Sequence, residues 1–408
     1  DWATSSPRTS RRRTESTRRP RVNALSPELA FLIMETPSMN VGSLRVPFGR
    51  PHLWGRESDY VNQALEGAWL SAGSFVERLE QAVTNFVGTA HGLATSNGTL
   101  ALVLAILGLG LSQGDEIVVP SYGFMAAANV AMLLGLVVKF ADVDPTTWCV
   151  TRDTVAASST AATKCVVATH TYGNMADTHR IVEWAHERGV TVIEDAAESL
   201  GSAQDGRQSG SIGDVGIFSF HAAKAVTTGE GGFVTTNNIE VHDRMRLLRS
   251  HGIRAKHYWH ELSGINARMS NLHAAVGVAQ MEQIDRIDAA RRTVEVRYRQ
   301  KLARVDGIEL QVVSGATDAV LWAVAVRLTD PDVATRRDQV IELMSRAGVE
   351  TRPGFPSSSQ LGIFDAHVSP VADAIASSVI VLPTPPTLTD VEIETVVSVL
   401  EHSIAAVR

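Results

Sequence analysis

"KCVVATHTYGNMADTHRIVEWAHERGVTVIED", residues 164–195, decides the fold. Two β-branched apolar runs, KCVVATH (164–170) and VTVIED (190–195), flank a segment, 175–189, that reads as a helix. Neither run alternates strictly between apolar and polar residues. That is the signature of strands covered on both faces, as in a parallel sheet with crossover helices.

The same rhythm extends outward. Upstream, FVERLEQAVTNFV (75–87) has apolar residues at helical spacing. GLATS (92–96) reads as a short strand, followed by an apolar helix from Thr99. DEIVVP (115–120), a helix through Asn129 to Leu136, and VVKFADV (137–143) follow. Downstream, VGIFSF and GGFVTT are further strands. The fold class is therefore α/β, a large, mostly parallel sheet with helices on both faces. A long amphipathic helix, about 272–303, should lead out of it into a smaller α+β domain. That domain is expected to have strands near 308–313 and 319–328 and a helix over 336–347 ended by Gly348. Its last helix, 390–407, opens on a Thr389/Glu392 capping box. The expected layout is a disordered basic tail over 1–40, a large domain over 41–285 and a small C-terminal domain over 286–408. The N-terminal segment of the large domain should pack on the small one.

Bulk properties exclude several classes. The 408 residues are 44% hydrophobic and 20% charged, with a net charge of −7. There is no basic stripe in the folded part, so nucleic acid is not an expected partner. The apolar stretches LALVLAILGLGL (100–111) and MAAANVAMLLGLVV (125–138) fall short of the ~20 residues a membrane span needs. Both read as buried helices, and the expected location is cytoplasmic. Cys149 and Cys165 form no metal or redox motif and read as buried small apolar residues; no metal is expected. The amino terminus stands apart. It holds seven arginines against four acids, so residues 39–408 carry 30 basic and 40 acidic side chains of the chain's 37 and 44. Such a run cannot build a core. It reads either as a transit peptide or as an over-extended reading frame with Met39 as the natural start.

In open α/β sheets, ligands sit at the carboxyl ends of the strands. Three features fall there. In TSNGTLAL (95–102), Asn97 and Gly98 turn a strand into a helix. This is either a plain N-cap or an anion seat, with Gly98 allowing close approach and the Thr99 hydroxyl adding a donor. In VIEDAAES (192–199), Asp195 closes an apolar strand and is followed by Glu198. It reads either as a helix cap or as a buried carboxylate that requires a cationic partner, such as a protonated pyridine nitrogen. In GIFSFHAAKAVTTGEGGFV (216–234), Lys224 sits among Ala222, Ala223 and Ala225 with no charged neighbour in sequence. It is either an ordinary loop lysine or a desolvated nucleophile, since loss of water favours the neutral amine. Ser219 lies where it can donate to a phosphate. An anion-binding helix start, a strand-end carboxylate and an amine suit one ligand, pyridoxal 5'-phosphate (PLP).

The segments SNGTLAL, GDEIVVPSYGFMAAAN, EDAAESLGS, GDVGIFSFHAAKAVTTGEGGFV and GINARMSNLHAAVGVAQ, in this order, resemble the DegT/DnrJ/StrS family of sugar aminotransferases. The resemblance is dense over about 46–290 and looser beyond. It implies the fold type I (aspartate aminotransferase-like) architecture and a homodimer with active sites at the subunit interface. By motif, Lys224 is the Schiff-base lysine and Asp195 the partner of the pyridine nitrogen. The same resemblance implies that Glu198 lies beside the ring hydroxyl, that Phe124 stacks on the ring, and that Gly98, Thr99 and Ser219 contact the phosphate. Asn266 matches the family's asparagine that reaches the neighbouring subunit's phosphate. Glu230 belongs to the signature as a turn residue. DAAES, TTGEGG, HYWHEL and ETRPGF are most similar to the members that move an amino group from L-glutamate to C4 of GDP-4-keto-6-deoxymannose. Gly123, Ile265, Ala267 and the segment after Phe355 depart from the family pattern where substrate or interface contacts are expected. The alternatives are a 3-keto sugar or keto-cyclitol acceptor, a sugar dehydratase, and a non-catalytic PLP-binding regulator. Dehydratases of the family carry His in place of the lysine. GEGG is not GxGxxG and opens no helix, which argues against a nicotinamide enzyme.

Overall fold

The computed structural model describes residues 46–365 and 367–408. The basic tail expected over 1–40 lies outside the described residues. The alternating pattern folds as it reads. The large sheet comprises β1 (His91–Thr95), β2 (Glu116–Pro120), β3 (Val137–Ala141), β4 (Thr163–Thr169), β5 (Thr191–Asp195), β6 (Val215–Ser219) and β7 (Gly232–Thr236). Their order is β1-β7-β6-β5-β4-β2-β3. All neighbours are parallel except β7, which runs antiparallel to both β1 and β6.

The longer helices of this part, of eight or more residues, are α1 (Glu57–Glu66), α2 (Ser74–Val87), α3 (Gly98–Gly108), α4 (Ala126–Leu133), α5 (Thr178–His186), α6 (Ile239–Arg249) and α7 (Asn271–Met281). Successive side chains on a strand point to opposite faces, and here both faces are covered. Ile117, Val167, Ile193, Ile217 and Val234 pack with Leu102 and Ile106 of α3, Val130 of α4 and Met245 of α6. On the other face, Val118, Val166 and Val192 meet Ile181 and Trp184 of α5. Phe218 and Phe233 meet Leu79 of α2 and Ala275 of α7.

Where one long helix was expected over 272–303, there are two. The chain breaks after α7, and α8 (Ile284–Leu302) starts in a new direction. At Gln283 the backbone leaves helical geometry (φ −109°, ψ 11°), and its N–H closes a three-residue turn on the Gln280 carbonyl. The Tyr60 hydroxyl of α1 holds the Glu282 carboxylate at 2.7 Å. A Cβ on Gly55 would lie 2.8 Å from the Ala279 carbonyl, so the N-terminal segment presses on the same turn. Tertiary packing on α7 outweighs the helical periodicity. Ile284 and Ile287 of α8 join the core of the large sheet, whereas Val294, Tyr298 and Leu302 join the second core.

That second core belongs to a smaller, antiparallel sheet: β8 (Ile308–Leu310), β9 (Ala325–Leu328), β10 (Arg352–Pro353) and β11 (Val379–Val381), in the order β8-β9-β11-β10. It is backed by α9 (Arg337–Arg346) and α10 (Asp390–Val407), whose Thr389/Glu392 capping box is formed. The expected strand 319–328 pairs in this sheet only from Ala325 onward. Its first half is diverted by other partners. The Val320 N–H donates to Ser202 Oγ (2.9 Å), the Trp322 N–H to the Tyr172 carbonyl (2.9 Å) and the Val324 N–H to Thr384 Oγ1 (3.0 Å). Val46 exchanges backbone hydrogen bonds with Gly348 and Glu350, and Arg50 pairs with Glu392 at 2.8 Å. Cys149 and Cys165 are buried and free, with both thiols pushed up to about 12 by burial. No helix among the described residues is long and apolar enough to cross a membrane.

Candidate active site

The topology brings the three polar features to one edge. β2, β4, β5 and β6 are parallel, so Pro120, Thr169, Asp195 and Ser219 end on the same side. β1 and β6 both run against β7, so Thr95 ends there too, and α3 starts beside Ser219. Asn97 is the N-cap, with its Oδ1 accepting the Leu100 N–H at 2.9 Å. The cap reading is thus correct, and it leaves the N–H groups of Gly98 and Thr99 at the positive end of the helix. A Cβ on Gly98 would lie 3.1 Å from Ser219 Cβ and 3.4 Å from the Phe218 carbonyl. Gly98 and Ser219 therefore share one seat, and the Thr99 side chain is exposed at its rim.

Asp195 sits on the neighbouring strand, at the end of β5, and is 5% exposed. Its Oδ1 accepts the Ala197 N–H at 3.2 Å. Burial is the main influence and pushes its carboxyl up to about 6, with Glu198 adding to the rise and Lys224 and His170 opposing it. Such a carboxylate is stabilised by a cation placed against it. The preceding residue, Glu194, points to the opposite face and is structural. It accepts the N–H groups of Gly210, Ile212 and Gly213 and pairs with buried His170 at 3.1 Å. Burial alone would raise Glu194, but His170 and the glycine N–H groups outweigh it and hold it below the ordinary value.

Lys224 is not left unpartnered, contrary to its sequence surroundings. Its Nζ donates to Glu198 Oε1 at 3.0 Å and lies 4.1 Å from the ring centroid of Trp322. The lysine and glutamate side chains are 15% and 7% exposed. Tertiary structure supplies both neighbours, one from the loop after β5 and one from the diverted 319–324 segment. Glu198 is itself held by the Tyr172 N–H on its other oxygen (2.8 Å). Tyr172 adopts φ +62°, a left-handed conformation costing ~1–3 kcal/mol, and this aims its N–H at Glu198. Beneath the lysine loop, the buried Arg291 guanidinium donates to the carbonyls of Lys224 (3.5 Å), Leu321 (3.5 Å) and Trp322 (3.1 Å). Burial lowers Arg291 to about 10.

The fold thus gathers Gly98, Thr99, Asp195, Glu198, Ser219 and Lys224 along one sheet edge. Phe124 follows β2 at the rim, 66% exposed, with Phe355 edge-on at 6.1 Å. Asn266 is exposed and lies next to the end of β1, where the Ser96 N–H donates to the Ala267 carbonyl (3.0 Å). Neither hydrogen-bonds or ring-stacks with the Lys224 group among the described residues. Glu230 is exposed in the turn, where its carbonyl accepts the Thr228 hydroxyl (2.7 Å). Tyr172, Arg291, Trp322 and Phe355 escaped the sequence reading. Only the positive-φ pair at Tyr172–Gly173 has a local signal, a tyrosine–glycine step just past a strand end. A buried single-oxygen-bonded carboxylate, a cradle a Cβ would fill and an amine on the same edge fit PLP.

Comparisons with known proteins agree with this geometry. Residues 52–401 match the model of the DegT/DnrJ/EryC1/StrS aminotransferase family. The GDP-perosamine synthase of Caulobacter vibrioides is 37% identical over 367 residues, spanning 88% of this chain and 98% of that protein. Among solved structures, the aminotransferase TlmJ from Streptoalloteichus hindustanus superposes with a TM-score of 0.84 at 29% identity, covering 89% of this chain and all of that one (100%). DesI, solved in the presence of its TDP-sugar product, gives 0.81 at 31% identity, covering 89% and 92%.

Proposed function

Because the chain belongs to the DegT/DnrJ/EryC1/StrS aminotransferase family, we propose that it is a PLP-dependent enzyme moving an amino group from L-glutamate to a nucleotide-linked keto-6-deoxy sugar. The proposed acceptor is GDP-4-keto-6-deoxymannose and the product GDP-perosamine. The observation that carries the reading is the Lys224–Glu198 pair on the same sheet edge as buried Asp195 and the Gly98–Ser219 seat. The GDP assignment is supported by the similarity to the Caulobacter synthase over almost its whole length.

When bound, the cofactor supplies an aldehyde and a ring that accepts carbanion charge. The protein supplies the rest. The N–H groups of Gly98 and Thr99, with the Ser219 hydroxyl, would hold the phosphate against the helix dipole. Asp195 would hold a proton on the ring nitrogen, since its ionised form gains from a buried cation partner. Lys224 offers the nucleophilic amine and, once displaced by the donor, the base that moves a proton at the donor's Cα. Glu198 keeps that amine within reach. Phe124 would cover the ring face, and Asn266 would extend to the phosphate of a second copy in a cytoplasmic homodimer.

The test has two arms. Borohydride treatment of protein loaded with PLP should fix the cofactor to the peptide carrying Lys224, and Lys224→Ala should lose both the adduct and turnover. Incubation with glutamate and GDP- or dTDP-linked keto sugars, with products read by mass and NMR, identifies the nucleotide and carbon. Turnover retained in Lys224→Ala would refute the assignment. Failure of glutamate to bleach the bound cofactor's visible band would favour a non-catalytic regulator.

A further inference from the structure

We propose that Trp322 is a positioning residue that holds the free amine of Lys224 on its indole face. The inference rests on the reading of Lys224 as the cofactor lysine and adds a role for a residue outside the motifs. Lys224 Nζ lies 4.1 Å from the ring centroid, within the range of a cation–π contact, and tryptophan is the strongest aromatic partner for it. The other titratable groups around the amine include Glu198 at 3.0 Å, Asp195 at the end of β5, Arg291 beneath the loop and His52, which lines the same cavity.

The two partners of the amine differ in kind. Glu198 binds through one directed hydrogen bond and is already committed to the Tyr172 N–H on its second oxygen. The indole face attracts charge without fixing any N–H direction. An amine that must leave and return can turn over such a surface without losing it. The platform itself cannot turn. The indole N–H donates to the Ala223 carbonyl (2.6 Å), the residue just before the lysine. The backbone N–H of Trp322 is bound to the Tyr172 carbonyl (2.9 Å), and its carbonyl accepts from Arg291 (3.1 Å). Its ring lies nearly parallel to those of Phe355 (9°) and Tyr172 (19°). This explains why residues 319–324 leave the small sheet: their hydrogen bonds deliver the indole to the lysine.

The contact holds the amine against the ring, so weakening it should free the amine to react. The test uses the cofactor-free full chain, labelled briefly with formaldehyde and cyanoborohydride near neutral pH, with methylation of Lys224 read by mass spectrometry. Trp322→Leu should raise the labelling rate by about twofold to thirtyfold, the span of ordinary cation–π strengths. Trp322→Phe, which keeps a π face and loses the N–H, should rise less. Biosynthetic replacement of tryptophan by its mono- and difluoro analogues changes no shape but drains the ring face. The rate should climb with each fluorine. A rate unchanged across the fluorinated series overturns the proposal, as does a Phe variant that labels as fast as the Leu variant. If Trp322→Leu fails to fold, the fluorinated proteins still decide. Because no cofactor is present, this result is independent of the borohydride adduct that tests the role of Lys224.

Discussion

Asp195→Asn offers a quantitative test of the buried carboxylate. The substitution is isosteric, and the amide oxygen can keep the bond from the Ala197 N–H. In the cofactor-free protein, burial raises Asp195 from 3.8 to about 6. The folded state therefore holds a proton that the unfolded chain has released at intermediate pH. Stability from this group is present below pH 3.8 and lost as pH rises through about 6. The full loss, for a shift of about two units, is about 3 kcal/mol. Between about pH 5 and pH 7.5 the native protein should lose about 1.4 kcal/mol that the Asn variant keeps. Urea denaturation of both cofactor-free proteins at the two pH values measures the difference. The Asn variant should be the more stable at the higher pH, yet bind PLP more weakly, since it cannot pair with a protonated ring nitrogen. A stability difference independent of pH would refute the reasoning. So would a variant that binds PLP as tightly as the native protein.

Two further outcomes follow from the backbone. Gly98→Val places side-chain carbon about 3.1 Å from Ser219 Cβ and over the helix N–H groups, so it should cost about tenfold or more in PLP affinity by titration. Thermal melting of the cofactor-free protein should change little by comparison. Gly173→Ala combines φ +100° with a Cβ 2.6 Å from the Val320 carbonyl and 2.7 Å from the Trp322 nitrogen. It should destabilise by at least about 2 kcal/mol in urea and displace the Trp322 segment, seen as altered tryptophan fluorescence.

The Lys224–Glu198 pair has a consequence for the protein before PLP arrives. A buried amine facing a carboxylate at 3.0 Å is held in place rather than searching solvent. The residues that hold the lysine and its loop come from three other parts of the chain: the turn after β5, α8 and the 319–324 segment. The last two belong to, or lead into, the smaller sheet.

The sequence by itself determined the large sheet, because its strands are buried on both faces and their composition records this directly, as in KCVVATH and VTVIED. It also put Asp195 and Ser219 at strand ends and Gly98 and Lys224 just beyond them, since a strand-end position is a local property. The helix break at Gln283 was not legible, because both α7 and α8 are amphipathic or apolar in helical register and the break answers to Tyr60 and Gly55, over 200 residues away. Nor were the partners of Lys224. Glu198 is 26 residues distant, and Trp322 sits in a segment whose composition reads as plain strand. Only the tertiary structure decided that this segment bonds to Tyr172 and Ser202 instead, because hydrogen-bond partners across the fold, unlike burial, leave no periodic mark in the residues that use them.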